Sequence, residues 1–333
     1  MSVKATFYMR VYNVEEWLLR RAIESVLHQT EPNFRFIIQD NGSTDGSNEI
    51  LKAYAKSDNR IDLFRNEKNN KFTIEEFEVR NEVFYRNVRG CNSKYFAIID
   101  SDDFYDKKFL EKAIELAESE HADIVFGGHQ QTDLTGNCYK SRLPMEMAGS
   151  VKELPEGWFK KNYSVLRTLW GKLYSAEYWD SYWKLIGIAK DFIQNGLDTY
   201  MVFCLLMASD RVAFMPEAIY TYTVRNNSLY HTDTRVERIT EVEVLALKGI
   251  ELAQYSGILN EKTLEFIANV YYYSVKDFFE ILIKNKKIKQ LESALQLLEQ
   301  GQVFRLFSQK NVDFIRLKDD VYKELENEKT AIN

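Results

Sequence analysis

The strongest constraint on this chain is an alternation: in its first third, short apolar runs take turns with segments of helical spacing, and the runs stop in polar residues. Residues 5–9 are mostly apolar and lead into Arg10-Val11-Tyr12-Asn13. Trp17, Leu18, Ala22, Val26 and Leu27 then recur at helical spacing, which predicts an amphipathic helix over about residues 15–29. Phe34, Phe36, Ile37 and Ile38 predict a second strand, halted by Asp40-Asn41-Gly42-Ser43-Thr44-Asp45. Residues 47–56 predict a second helix and residues 61–64 a third strand. Strand, helix, strand, helix, strand in this order predicts a parallel sheet with right-handed crossovers.

Further on, Tyr95-Phe96-Ala97-Ile98-Ile99 reads as a buried central strand that ends abruptly in Asp100-Ser101-Asp102-Asp103. Leu110, Ala113, Ile114 and Ala117 predict a helix, and residues 123–127 another strand. Periodicity fades over residues 132–163, which predicts loops over the sheet, and residues 212–223 read as strand again. Beyond Arg235 the pattern is helical. Leu264, Ala268, Tyr271, Val275, Phe278 and Leu282 alternate spacings of four and three, a seam for packing against another helix.

Composition bounds the function classes. The 333 residues suffice for about two domains, and a 45% hydrophobic fraction fills a sizeable core. With 4 prolines and 14 glycines, long linkers and low-complexity segments are not expected. The apolar run 201–208 is far too short to cross a bilayer, and the N-terminus shows no charged region followed by an apolar one. Cys91, Cys138 and Cys204 lie far apart with no CxxC pair, so they read as reduced thiols rather than disulfides or a zinc site. A net charge of −6 disfavours a nucleic-acid binder. These features predict a soluble cytoplasmic protein.

The chemistry collects at the strand ends. In open α/β sheets ligands bind beyond the carboxyl ends of the strands, so Tyr12-Asn13, Asp40-Asn41 and Asp100 to Asp103 should meet at one crevice. Three carboxylates within four residues repel one another and call for a cation or donor groups. Asp100 and Asp102 share a face by strand periodicity, and a bend at the strand end brings in Asp103. Hard oxygen ligands suit Mg²⁺ or Mn²⁺ and leave coordination positions for diphosphate oxygens. An Asp-rich cap before the next helix explains the same residues without a ligand. Likewise, a turn plus a helix cap suffices for Asn41-Gly42-Ser43-Thr44-Asp45-Gly46.

Taken in order, Val11-Tyr12-Asn13, Ser25-Val26-Leu27-His28-Gln29-Thr30, the 40–45 cluster and Asp100-Ser101-Asp102-Asp103 resemble the family 2 glycosyltransferases of GT-A fold. Leu169-Trp170-Gly171-Lys172-Leu173-Tyr174 is similar to the family's Trp-Asn-Lys-Leu-Tyr segment, and Gly196-Leu197-Asp198 to its Gly-Glu-Asp. Residues 216–225 resemble its strand ending in Tyr-Arg, so the resemblance covers roughly residues 3–231. It implies an α/β fold of GT-A type: a Rossmann-like mixed sheet with helices on both faces, joined to a helical C-terminal region. The expected domains are a GT-A domain at 1–234, with a nucleotide-binding half 1–105 and an acceptor-binding half 106–234, and a helical region at 235–333.

The implied activity is an inverting hexosyl or N-acetylhexosaminyl transfer from a nucleotide diphosphate sugar, with UDP the expected nucleotide. The acceptor would be a glycan such as a surface polysaccharide, a lipid-linked sugar or a glycoprotein. By position, Asp198 would be the catalytic base. Val11, Tyr12, Asn13, Asp40, Asn41, Arg80, Asp100, Ser101 and Asp102 would bind the nucleotide, with Tyr12 stacking on the base. Arg225 and His231 would lie near the diphosphate, and Asp102, Asp103 and Asp100 would hold Mn²⁺ or Mg²⁺, so that Asp102→Asn or Asp103→Asn should abolish turnover. Four departures from the family pattern stand out. Arg10 replaces its usual Pro, Asn41 its second Asp, and Leu197 the acidic neighbour of the base, while Arg80-Asn81 is the only trace of its Ala-Arg-Asn segment.

Two alternatives come with this reading. Arg10, Asn41 and Leu197 would suit a catalytically silent sugar-nucleotide or glycan-binding subunit, whereas Asp102, Asp103 and Asp198 speak for an enzyme. A sugar nucleotidyltransferase would place a Gly-rich loop where Met9-Arg10-Val11-Tyr12 stands. The helical C-terminus is expected to serve association of copies or acceptor docking, with ordinary core packing as the plainer account of its seam. Within residues 278–289, Phe278-Phe279 and the lysines from Lys284 to Lys289 suggest a peripheral contact with the inner face of a membrane.

Overall fold

The computed structural model describes residues 3–69, 92–153, 155, 157–178, 197–225, 232–309 and 311–332. They divide into two compact units. One takes the residues within Met1–Pro155, Ser164–Lys190 and Met201–Val224; the other takes those within Glu156–Tyr163, Asp191–Tyr200 and Arg225–Asn333.

The first unit is built on one mixed sheet. Its leading strands are β1 (Ala5–Val11), β2 (Phe34–Asp40), β3 (Ile61–Arg65) and β4 (Tyr95–Asp100), paired in the order β3-β2-β1-β4 and all parallel. These strands carry near-continuous apolar runs because a parallel sheet is covered on both faces. The sheet continues through β9 (Lys172–Ser175), β6 (Ile124–Thr132) and β10 (Arg211–Thr223) to the short β5 (Phe104–Tyr105). β9 runs antiparallel to both β4 and β6, whereas β6 and β10 run parallel.

Local sequence accounts for the covering helices. In α1 (Glu16–Leu27) the buried residues are Leu18, Leu19, Ala22, Ile23 and Val26, a stripe at helical spacing. Each fully buried Leu, Ile or Val there contributes about 1.5–3 kcal/mol. α2 (Ser47–Ser57) starts where Asp45 Oδ1 accepts the Ser47 N–H at 2.9 Å. α3 (Phe109–Glu120) ends at His121 in the left-handed region (φ +51°). The core joins these helices to the sheet through Phe7, Phe36, Tyr105 and Phe109, with Tyr105 and Phe109 stacked at 4.1 Å.

Residues 132–163 depart from the expected loops. β7 (Cys138–Arg142) pairs antiparallel with β6, β8 (Met147–Ser150) pairs antiparallel with β10, and a short helix α4 (Trp158–Asn162) follows. β7 carries no alternation because all five of its side chains are exposed.

Helix α5 (Leu197–Ala208) leads into β10. The second unit is helical, with α6 (Arg238–Tyr255), α7 (Glu261–Lys284), α8 (Ile288–Gln300), α9 (Gln302–Ser308) and α10 (Val312–Ile332). α7 opens with a capping box in which Asn260 and Thr263 satisfy each other's backbone N–H. Its buried stripe is wider than the expected seam and takes in Phe266, Ile267, Val270, Ser274, Phe279 and Ile281. Phe278 and Phe279 are both buried, and the Arg238 guanidinium lies 5.3 Å from the Phe278 ring centre. The aromatic half of the expected membrane contact is therefore core; the lysines that follow are exposed. Among the described residues no helix is long and apolar enough to cross a membrane.

Candidate functional site

β1 has β2 on one side and β4 on the other, so the strand order reverses beside it. Such a switch point leaves a crevice at the carboxyl ends of the strands. Register places Val11 opposite Asp40, and Arg10 between Gln39 and Asp100. The three polar clusters expected to converge do so here.

At the end of β1 the Val11 side chain is fully buried, and its carbonyl accepts the Asn41 N–H at 2.8 Å. Tyr12 is 41% exposed, a large ring at the lip of the crevice. Asn13 takes a left-handed φ of +49°, a conformation that Asn tolerates better than most residues. Its Oδ1 accepts the Thr44 N–H at 2.8 Å, and its own N–H donates to Ser43 Oγ at 3.2 Å. Asn13 thus clamps the β1 loop to the loop after β2.

That second loop faces inward more than the sequence suggested. Asp40 is fully buried; its Oδ1 accepts the Ser43 N–H at 2.9 Å, while its Oδ2 has no hydrogen-bond donor among the described residues and lies 3.5 Å from Arg65 Nε. Asn41 is 1% exposed. Its Oδ1 accepts from Asn66 Nδ2 at 2.9 Å and its Nδ2 donates to Asn69 Oδ1 at 2.5 Å. The side chain expected to face a base is held by the loop after β3. Arg65, Asn66 and Asn69 were missed by sequence reasoning, although the rule that strands end in polar residues, extended to β3, points to the first two.

Gly42 lets the two loops meet. Its φ is +77°, and a Cβ built there would stand 2.6 Å from the Lys68 carbonyl carbon and 2.8 Å from the Asn69 nitrogen. Backbone cannot yield as a side chain can. Gly42→Ala is expected to cost about 2 kcal/mol or more through the left-handed strain and the clash. Thermal unfolding checks this; an unchanged Tm would show that the loops separate freely.

The Asp-rich turn splits into two environments. Asp100 is exposed and Asp102 half-buried, whereas Asp103 is 1% exposed. Ser101 is buried. Asp103 Oδ2 accepts the Tyr220 hydroxyl at 2.9 Å, and Oδ1 accepts the Thr223 N–H at 2.7 Å. Burial, then the charges of Asp100 and Asp102, push its carboxyl well above the usual carboxylate range. Burial, then Asp103, likewise raises the Tyr220 phenol, so that its hydroxyl keeps the proton it donates. Among the described residues no group of three or more His, Cys, Asp or Glu is placed to hold a metal ion. Of the three expected carboxylates, Asp103 points into the protein and meets protein donors. Asp100 and Asp102 still offer hard oxygens at a solvent-facing strand end, a donor set that fits Mg²⁺ or Mn²⁺.

Behind the turn stands an aromatic wall. Trp170 stacks on Tyr220 with centroids 4.4 Å apart, and Tyr105 meets Tyr220 edge-on at 4.8 Å. The Tyr105 hydroxyl donates to the Ile98 carbonyl at 2.8 Å and accepts the Gly171 N–H at 3.0 Å. Gly171 has φ +71°, a region open to Gly and, less readily, Asn. That explains why glycine can stand where the similar segment carries Asn. Lys172 is buried, with its Nζ donating to the Trp170 carbonyl at 3.0 Å.

Asp198 is exposed in the first turn of α5, and Arg225 is half-buried two residues after β10. Both belong to the second unit's share of the chain. Arg80 and His231 lie outside the described residues.

Comparison with known proteins bears on this site. The sequence model of glycosyl transferase family 2 matches residues 6–171, which carry the 40–45 loop, the Asp-rich turn and Trp170. Glycosyltransferase GlyA of Streptococcus pneumoniae is 24% identical over 310 residues, 86% of this chain and 42% of GlyA. An uncharacterized glycosyltransferase of Methanocaldococcus jannaschii is 33% identical over 159 residues, 47% of this chain and 51% of the relative. The chain thus spans about half the length of these relatives. Among solved structures, residues 1–349 of S. aureus TarS, in complex with UDP-GlcNAc, superpose with TM-score 0.63 at 15% identity, covering 98% of this chain and 92% of that one. A mannosyltransferase from Pyrobaculum calidifontis, in complex with GDP-Man and Mn²⁺, gives TM-score 0.53 at 14% identity, covering 99% and 87%. These likenesses are of fold, and the fold is GT-A. With the strand-end crevice, the Asp-rich turn and the matched segment in agreement, this chain belongs to the family 2 glycosyltransferases.

Proposed function

We propose that the chain transfers a glycosyl residue from a nucleotide diphosphate sugar to a carbohydrate-containing acceptor, with inversion at the anomeric carbon. The observation that carries this reading is the crevice at the switch point, where Asp100 and Asp102 stand on β4 and the turn after it, beside β1 and the exposed Tyr12 that directly follows it. Tyr12 would stack on the base, while Asp100 and Asp102 would hold Mg²⁺ or Mn²⁺ against the diphosphate. When bound, that cation offsets the negative charge that gathers on the leaving diphosphate. Asp198 takes the proton from the acceptor hydroxyl as its oxygen bonds to the anomeric carbon. The bond from that carbon to the diphosphate oxygen breaks, and its electron pair leaves with the nucleotide. One in-line displacement inverts the centre, so no enzyme nucleophile is required.

Uridine is the proposed nucleoside. Asn41 stands where the family pattern places a carboxylate, and an amide carbonyl can accept the uracil N–H as a carboxylate would, once Asn41 exchanges the bonds that hold it to Asn66 and Asn69. The TarS complex with UDP-GlcNAc is consistent with this choice, and the GDP-Man complex names its rival. Calorimetry of UDP, GDP, CDP and dTDP in the presence of Mn²⁺ tests it. UDP is expected to bind tightest, though less tightly than to a site with a charged acceptor. Tighter binding of a nucleotide outside the uridine class would sink the assignment.

A further inference from the structure

We propose that Asp103 and Tyr220 are positioning residues that set the Asp100-Ser101-Asp102 turn for a divalent cation, and are not themselves ligands. The inference rests on the nucleotide-dependent reading above. The Tyr220 hydroxyl sits at a junction. It accepts the Asp100 N–H at 3.1 Å and donates to Asp103 Oδ2 at 2.9 Å. The Asp103 N–H in turn donates to the Asp100 carbonyl at 3.2 Å. A closed ring of hydrogen bonds therefore holds both ends of the turn, and the bond from Thr223 N–H to Asp103 Oδ1 ties that ring to β10.

The anchor of the ring is rigid. Tyr220 is fully buried between the Trp170 plane and the Tyr105 edge, and Tyr105 is itself bonded at the Ile98 carbonyl and the Gly171 N–H. The phenol oxygen is thereby fixed relative to the last residues of β4. Both Asp103 oxygens meet protein donors in a buried setting, while Asp100 and Asp102 retain solvent contact. Outer partners of this kind orient the groups that touch a metal.

The test uses the full chain. Calorimetry would measure Mn²⁺ binding to the UDP-saturated protein, and UDP binding without metal, for wild type, Tyr220→Phe, Asp103→Asn and Asp102→Asn. Thermal unfolding of each runs alongside. Tyr220→Phe removes one oxygen and is expected to weaken Mn²⁺ binding by about tenfold, as loss of an outer partner does, with metal-free UDP binding unchanged. Asp103→Asn keeps an oxygen for the Thr223 N–H and can donate its amide to the Tyr220 oxygen, but it leaves the buried Tyr220 proton without its acceptor, so Mn²⁺ binding should weaken by no more than about tenfold. Asp102→Asn should lose measurable Mn²⁺ binding. If Asp103→Asn loses it as completely, Asp103 is a ligand and the proposal fails. Wild-type Mn²⁺ affinity in Tyr220→Phe, whatever its Tm, also overturns it by leaving that residue a purely structural part. Either result leaves the proposed function standing. A wild-type protein that binds neither Mn²⁺ nor UDP overturns both.

Discussion

Asp198→Asn is expected to give a folded protein that binds donor and metal yet turns over at least about a hundredfold more slowly. Asp198 occupies the first turn of α5 and is exposed, a place where an Asp also serves the helix end. The two roles differ in magnitude. Losing a carboxylate from a helix's first turn costs about 0.3–1 kcal/mol of stability, whereas losing a general base costs on the order of 10²–10⁴ in rate. Asn keeps most of the shape but cannot take the acceptor proton. Tm and donor affinity should therefore stay near wild type while kcat falls. Near-normal transfer by this variant would make Asp198 a helix-end residue only.

Asp102→Asn should abolish metal-supported turnover with little change in stability. The side chain is half-buried at a polar turn, so the fold depends little on its charge. A neutral amide is a poor partner for a hard dication, and the lost charge stabilisation is worth several kcal/mol in the transition state. At about 1.4 kcal/mol per decade, several kcal/mol corresponds to roughly 10²-fold or more in rate. Chelation is the companion measurement. EDTA should silence the wild-type protein, and added Mn²⁺ or Mg²⁺ should restore it. Full activity after EDTA would remove the metal role and leave the Asp-rich turn as a cap for the helix that follows.

The parts legible in the sequence are those carried by local pattern. β1 to β4 announce themselves because apolar runs end in polar clusters, and α1 because its stripe recurs at helical spacing. β7 stayed hidden because its five exposed residues alternate nothing. The insertion of β9 between β4 and β6 depends on pairings of residues 46 to 80 positions apart. The candidate site divides in the same way. Tyr12 and Asp102 could be read from position, whereas the inward turn of Asn41 depends on Asn66 and Asn69, and the burial of Asp103 on Tyr220 and Thr223. A residue's type announces what it can bond. Only the fold decides which bonds the protein itself completes.

β10 gives the first unit a particular order of assembly. Chains emerge from the ribosome N-terminus first, at about 5–20 residues per second. Ile124 of β6 pairs with Val212 of β10, so during synthesis that edge of β6 waits roughly 4–18 s for its neighbour. An unpaired strand edge is a template for association with other chains. Throughout that interval Asp103 also lacks Tyr220 and Thr223, so the Asp-rich turn matures only once β10 has arrived. A nascent chain halted near residue 171 would contain the whole family-matched segment and still lack the strand that completes its Asp-rich turn.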